Sequence, residues 1–165
     1  MSIWLLLLLA FVISFAYAGI RAAPWVPLHA RDVERVVTLM DLKGGEVVYD
    51  IGCGDGRILA AAAEKGAQAT GFEVSLLPYL LAQIRRLRGK KFRVRFKDFW
   101  WQDLRQADVV FFFLMPKIFP KLKEKLEREL KPGARVISYV WPIDGWEPTR
   151  VDRREGSPAL YLYLR

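Results

Sequence analysis

At 165 residues the chain has room for one domain. It carries a formal charge of +8, with 26 Lys+Arg against 18 Asp+Glu and one His, and is 53% apolar, which excludes a disordered chain. A single cysteine, Cys53, excludes a disulfide framework, and Cys53 with His29 can neither close a four-ligand zinc site nor supply a Ser/His/Asp triad, so no metal is expected.

Ile3 to Ile20 is a charge-free apolar run, interrupted only by Ser14 and Gly19. A helix of that length rises about 27 Å, close to the thickness of a bilayer's hydrocarbon core. Residues 1–20 are therefore expected to be a transmembrane anchor. A cleaved signal peptide is the competing reading, because Ala16-Tyr17-Ala18 has the small residues of a cleavage site. No Lys or Arg precedes the run, whereas Arg21, Arg31 and Arg35 follow it. That bias puts the C-terminal domain in the cytoplasm, as part of a single-pass membrane protein. Residues 21–30 read as a short juxtamembrane joint stiffened by Pro24 and Pro27, and residues 31–165 as the folded domain.

From residue 31 the hydrophobic periods alternate. Val33, Val36, Val37 and Met40 recur at helical spacing over Arg31 to Leu42, and Lys43-Gly44-Gly45 stops that helix. Glu46 to Ile51 reads as a buried strand, followed by glycines and a helix from Asp55 to Lys65. Gln68 to Glu73 is a second strand and Ser75 to Arg88 a second helix. Phe92, Val94 and Phe96 alternate with Arg93, Arg95 and Lys97, the pattern of a half-solvated edge strand. Ala107 to Leu114 is a continuous apolar strand. Pro116 to Leu130 is a helix expected to turn Lys121, Lys123, Glu124, Lys125, Glu127 and Arg128 to water. Ala134 to Val140 and Leu160 to Leu164 are the last strands, the final one entered through a Gly156-Ser157-Pro158 turn. Five β–α alternations and a closing strand pair predict a Rossmann-like, mostly parallel α/β sheet with helices on both faces. Ligands of such sheets bind beyond the carboxyl ends of the strands, which directs attention to Asp50, Glu73, Asp98 and Leu114.

The first strand runs into Asp50-Ile51-Gly52-Cys53-Gly54-Asp55-Gly56-Arg57. Gly52, Gly54 and Gly56 permit a tight turn and a close backbone approach to a ligand. The dinucleotide fingerprint needs glycine where Arg57 stands, and there is no Walker lysine. Asp50, Asp55, Glu73 and Asp98 would crowd one crevice with carboxylates. A pyrophosphate would be repelled there, whereas a ligand with an ammonium, a sulfonium and a ribose diol would be held. S-adenosylmethionine has these groups. Glu73 is placed to accept the ribose hydroxyls, and Asp98 with Phe99 to receive adenine by hydrogen bonding and stacking. Cys53 reads as a small turn-filler with no base beside it.

Val48 to Ile58 (VYDIGCGDGRI) resembles motif I of class I methyltransferases. More narrowly, it is similar to the group containing the mitochondrial ATP-synthase c-subunit and adenine-nucleotide-translocase lysine methyltransferases and their archaeal broad-specificity relatives. The likeness extends to Trp25-Val26-Pro27, Asp98-Phe99-Trp100, Ala107-Asp108-Val109-Val110, Lys123 to Val136 (KEKLERELKPGARV) and Pro142 to Trp146 (PIDGW). It implies a class I methyltransferase fold and the same cofactor roles for Asp50, Gly52, Gly54, Glu73 and Asp98. Mitochondrial members of the group also carry an N-terminal membrane segment. Leu28-His29 after the Val-Pro step, Val140 before Trp141-Pro142, and Leu114-Met115-Pro116 in place of Asn-Pro-Pro-Tyr depart from patterns seen in related enzymes.

These readings predict a membrane-anchored, S-adenosylmethionine-dependent methyltransferase acting on a protein lysine by in-line displacement. The protein substrate would present an accessible lysine and could itself be a membrane protein. Alignment and a dry site carry most of such a reaction, and burial favours the neutral amine it needs. Trp141 is the candidate acceptor wall, with Phe113 and Trp146 behind it, and no general base is assigned. Methylation of a lipid or small amphiphile, and a non-catalytic cofactor-binding membrane partner, are the alternatives. The acid-free basic stretch from Arg85 to Lys97 suits anionic lipid headgroups or a solvated edge equally. RNA fits the charge too, but the anchor argues against it.

Overall fold

The computed structural model describes residues 2–6, 9, 12–13, 25–89 and 91–165. Most of the run read as an anchor over 1–20 lies outside the described residues. Among those described, no helix is long and apolar enough to cross a membrane.

Helix α1 is Ala30–Met40, followed by β1 (Val47–Ile51), α2 (Arg57–Glu64), β2 (Gln68–Glu73), α3 (Leu76–Leu87) and β3 (Arg93–Phe96). Then come β4 (Val109–Phe112), α4 (Phe119–Glu129), β5 (Arg135–Tyr139), β6 (Arg150–Arg154) and β7 (Ser157–Leu164). Short 3-10 turns at Phe99–Trp101 and Pro116–Ile118 follow β3 and β4. The seven strands order as β3-β2-β1-β4-β5-β7-β6. β1 to β5 pair in parallel, and β7 runs antiparallel to both β5 and β6.

Alternating strand residues feed two cores, as a sheet covered on both faces requires. Val48, Ala69, Val94, Phe111 and Ile137 pack against α1, α2 and α3. Ile51, Phe72, Val110, Phe112 and Val136 pack against Phe119, Leu122 and Leu126 of α4. The chain order reverses between β1 and β4, and the crevice that this reversal opens lies beyond their carboxyl ends.

Four features differ from expectation. β6 is a strand that the sequence did not announce, and β7 already begins at Ser157, within the expected turn. Lys125 does not face water. Only 4% of it is exposed, and its Nζ donates to the Gln102 carbonyl at 2.7 Å and to the Glu129 carboxylate at 2.8 Å. Finally, Trp25 to Leu28, read as part of a joint, fold back onto the domain beside the crevice.

Candidate active site

The crevice is built from the ends of four adjacent strands. Asp50 and Gly52 come from β1, Glu73 and Ser75 from β2, Asp98 and Phe99 from β3, and Phe113 and Leu114 from β4. The turn after β1 is closed by backbone bonds. Gly52 and Cys53 N–H both donate to the Phe72 carbonyl, at 3.0 and 3.1 Å, and Gly56 N–H donates to the Cys53 carbonyl at 2.9 Å. Gly54 has φ of 54°, and a Cβ there would lie 2.7 Å from Trp25 Nε1. Only glycine lets the indole close over the loop. Arg57 anchors that cover, donating to the Leu28 carbonyl and at 2.7 Å to Asp55.

Glu73 organises the loop. Its Oε2 accepts from Gly54 N–H at 2.9 Å, and its Oε1 from Val74 and Ser75 N–H at 2.9 and 2.7 Å. Burial raises its pKa despite these three donors. Asp50 is buried more completely, and among the described residues no donor reaches its Oδ1. Burial first, then the neighbouring Glu73 and Asp55 charges, push its pKa well above the ordinary aspartate value. A buried acceptor left unbonded is costly and calls for a donor from a ligand.

Asp55 lines the crevice but adds no free charge to it. Arg57 and Arg85 hold its carboxylate at 2.7 and 2.8 Å. Burial would raise its pKa, but those hydrogen bonds and charges outweigh it and hold the group below the usual range. The other carboxyl groups that line the crevice are Asp50, Glu73 and Asp98. Asp98 Oδ1 accepts from Trp100 N–H at 3.0 Å, and Phe99 is buried against Trp100 with ring centroids 4.6 Å apart. Gly56 turns the other way, toward Ala82 and Phe92, so it shapes the turn without lining the crevice. Cys53 is buried, and burial with the Asp50 and Glu73 charges drives its thiol pKa well up, as suits a turn-filler.

Trp141 stands one layer back. Its ring stacks on Phe113 at 6.0 Å between centroids, and Phe113 lines the crevice. Trp146 instead packs edge-on against Tyr163 and donates from Nε1 to Glu127 at 2.8 Å, away from the site. His29 is exposed at the start of α1. The contribution of Trp25, Val26 and Leu28 had a signal in the likeness of Trp25-Val26-Pro27, but nothing local tied that segment to a strand end.

The ANTKMT methyltransferase domain family matches residues 50–150, from the buried aspartate to the start of β6. The chain belongs to this family. A protein-lysine N-methyltransferase of Saccharolobus islandicus is 36% identical over 150 residues, covering 86% of this chain and 92% of the relative. The ATP-synthase c-subunit lysine N-methyltransferase of Rattus norvegicus is 37% identical over 147 residues, which cover 85% of this chain but 65% of that enzyme's length. Among solved structures, an RNA methyltransferase from Salinibacter ruber in complex with S-adenosyl-L-homocysteine superposes with a TM-score of 0.79. It shares 31% sequence identity, with 84% of this chain and 93% of that one covered.

The enzyme is an S-adenosylmethionine-dependent methyltransferase. The crevice fits that cofactor on its own chemistry. Its buried Asp50 Oδ1, unbonded among the described residues, calls for a cationic donor, and the Gly52 backbone lines the crevice beside it.

Proposed function

We propose that the enzyme methylates a lysine side chain of a protein substrate, from a domain held at a membrane by residues 3–20. The observation that carries the site assignment is the buried Asp50 Oδ1, without a donor among the described residues, beside Glu73 at the switch point of the sheet. Bound S-adenosylmethionine supplies the methyl group for in-line displacement by the acceptor amine. Asp50 would hold the ammonium of the cofactor's amino-acid end, and Glu73 the ribose hydroxyls. Asp98 and Phe99 would take the adenine, while Gly52 would let the backbone approach and Gly54 makes room for the Trp25 cover. Phe113, backed by Trp141, offers an apolar wall that favours a neutral amine. The relatives named as protein-lysine methyltransferases support the acceptor class.

The charge-free run and the arginines after it support a single membrane span with the domain on the cytoplasmic side. Domain boundaries of 1–20 for the anchor and 31–165 for the core fit this reading, with Trp25 to Leu28 serving as part of the site cover.

Label transfer from methyl-labelled cofactor into a cell extract tests the acceptor class, with protein, lipid and RNA fractions counted separately. Label is expected in protein and is expected to vanish in Asp50→Ala and Glu73→Ala. Label confined to lipid or RNA would replace the lysine reading.

Trp141 has a test of its own. Val140, immediately before it, holds φ of 78°, which a β-branched residue rarely adopts. Such strain is worth about 1–3 kcal/mol. The half-buried valine side chain returns only about 1 kcal/mol of packing. Val140→Gly is therefore expected to unfold no earlier than the parent and to bind cofactor equally well. By freeing Trp141 it should raise the acceptor KM about ten-fold, the scale on which loss of positioning is felt. An unchanged acceptor KM would remove Trp141 from the acceptor wall.

A further inference from the structure

Helix α3 is apolar on both sides, an arrangement usual only for a fully buried helix. Pro78 and Ala82 face the core. On the opposite side Leu77, Leu80, Ile84 and Leu87 are 38%, 47%, 48% and 77% exposed. With the half-buried Leu76 and Leu81 at its two edges, this face covers an arc of about 140° at 3.6 residues per turn. Phe96, at the end of the edge strand β3, is 48% exposed and packs beside Tyr79 of α3, so the apolar surface continues past the helix.

The segment that carries this surface is basic throughout. Between Glu73 and Asp98 there is no acidic residue, whereas Arg85, Arg86, Arg88, Lys90, Lys91, Arg93, Arg95 and Lys97 fall there. Arg85 is engaged with Asp55, and Arg86, Arg88 and Lys91 are exposed beside the helix, whereas Arg93 and Arg95 alternate with Val94, which packs on the α3 side, and so face the other side of the sheet. A leucine-rich face rimmed with arginine and lysine is the pattern of a helix lying in the plane of an anionic lipid surface. A second copy of the chain is a poorer occupant, since a two-fold contact would set this basic frame against itself. RNA would use the charges but not the leucines.

Chain connectivity places this face close to lipid. Ile20 ends the charge-free run five residues before Trp25, so the two are at most about 18 Å apart. Trp25 lines the crevice, and so does Ser75, the residue from which α3 starts. We infer that the outer face of α3 is a second, in-plane contact with an anionic bilayer, which turns the mouth of the active site toward acceptors at the membrane surface. The inference rests on the proposed anchor for its tether, and on α3 itself for its contact face.

The test uses the full chain reconstituted with phosphatidylcholine vesicles, with and without phosphatidylglycerol. An environment-sensitive dye is placed at Leu80→Cys, at Ile84→Cys, or at Glu124→Cys on α4, and lipids brominated in their chains act as quenchers. The unsubstituted chain, with Cys53 buried, supplies the labelling background. Severalfold stronger quenching is expected at positions 80 and 84 than at 124, greater with phosphatidylglycerol and reduced by salt. If the chain floats with the vesicles while positions 80 and 84 stay in water, the α3 contact is overturned and the anchor stands. If the chain does not float, both fall. A dye shift without vesicles that grows with protein concentration would assign the face to a second copy. A shift on adding RNA alone would assign it to nucleic acid.

Discussion

Asp50→Asn is expected to bind S-adenosylmethionine about 100-fold more weakly than the parent, a loss near 3 kcal/mol. Without ligand it should be the more stable protein. Both effects have one cause. The parent buries a carboxylate whose Oδ1 has no donor among the described residues and whose neighbours include Glu73 and Asp55. The folded state therefore raises the pKa of Asp50 above its unfolded value. A carboxyl raised in this way stabilises the fold in full below the unfolded pKa, and that contribution is lost as pH rises through the folded pKa. Asparagine keeps the shape and never ionises, so the gap in unfolding temperature should widen in its favour from the ordinary aspartate range toward neutral pH. A cationic ligand reverses the balance, since its ammonium favours the ionised aspartate. Parent affinity should then rise with pH over the same interval, and variant affinity should stay flat. Calorimetric titration with S-adenosylhomocysteine, alongside thermal unfolding at each pH, measures both. Equal affinity in parent and variant would remove Asp50 from the ligand's amino-acid end.

The parts of the site that were legible in sequence are those where one local pattern fixes both backbone and chemistry. A buried strand running into alternating glycines placed Asp50 at a strand end, and Gln68 to Glu73 matched its strand residue for residue. What stayed hidden depends on partners far along the chain. Asp55 reads as a fourth crevice charge until Arg85, thirty positions later, takes its Oδ2 at 2.8 Å. Lys125 carries the marks of a solvated helix residue. It is buried because the Gln102 carbonyl and Glu129 together satisfy its ammonium. β6 has no alternation to read, since Arg150, Val151, Arg153 and Arg154 are all exposed. It is fixed instead by pairing with β7 and by Asp152, whose carboxylate meets Arg35 of α1 at 3.1 Å. α3 misleads in the other direction. Its leucines and Ile84 gather on one face, which periodicity would put inside, yet that face is the exposed one.

Gly71→Ala carries the largest expected structural effect, although a single methyl group is added. Gly71 pairs with Asp50 across β1 and β2. It lies in the strand interior, where its lack of a side chain matters for space and not for an unusual φ. A Cβ at position 71 would lie 2.5 Å from Cys53 Sγ, 2.5 Å from Leu59 Cδ1 and 2.6 Å from Cys53 Cβ. Leu59 Cδ1 ends a flexible side chain, but Cys53 Cβ is fixed to the loop backbone, so the loop itself must move. Overpacking of this kind costs about 3 kcal/mol. In a domain of this size that lowers the unfolding temperature by roughly 10 °C. The moving residue sits between Gly52 and Gly54, so cofactor binding should fall with stability, unlike in Asp50→Asn, where the two separate. Cys53→Gly in the same chain removes two of the three clashing atoms. The double variant should recover most of the lost unfolding temperature, a coupling that additivity forbids for independent sites. Thermal unfolding of the two single variants and the double variant decides the matter. An unfolding temperature for Gly71→Ala equal to the parent's would mean that β2 and the loop after β1 do not approach this closely, and the placement of the whole crevice floor would fall with it.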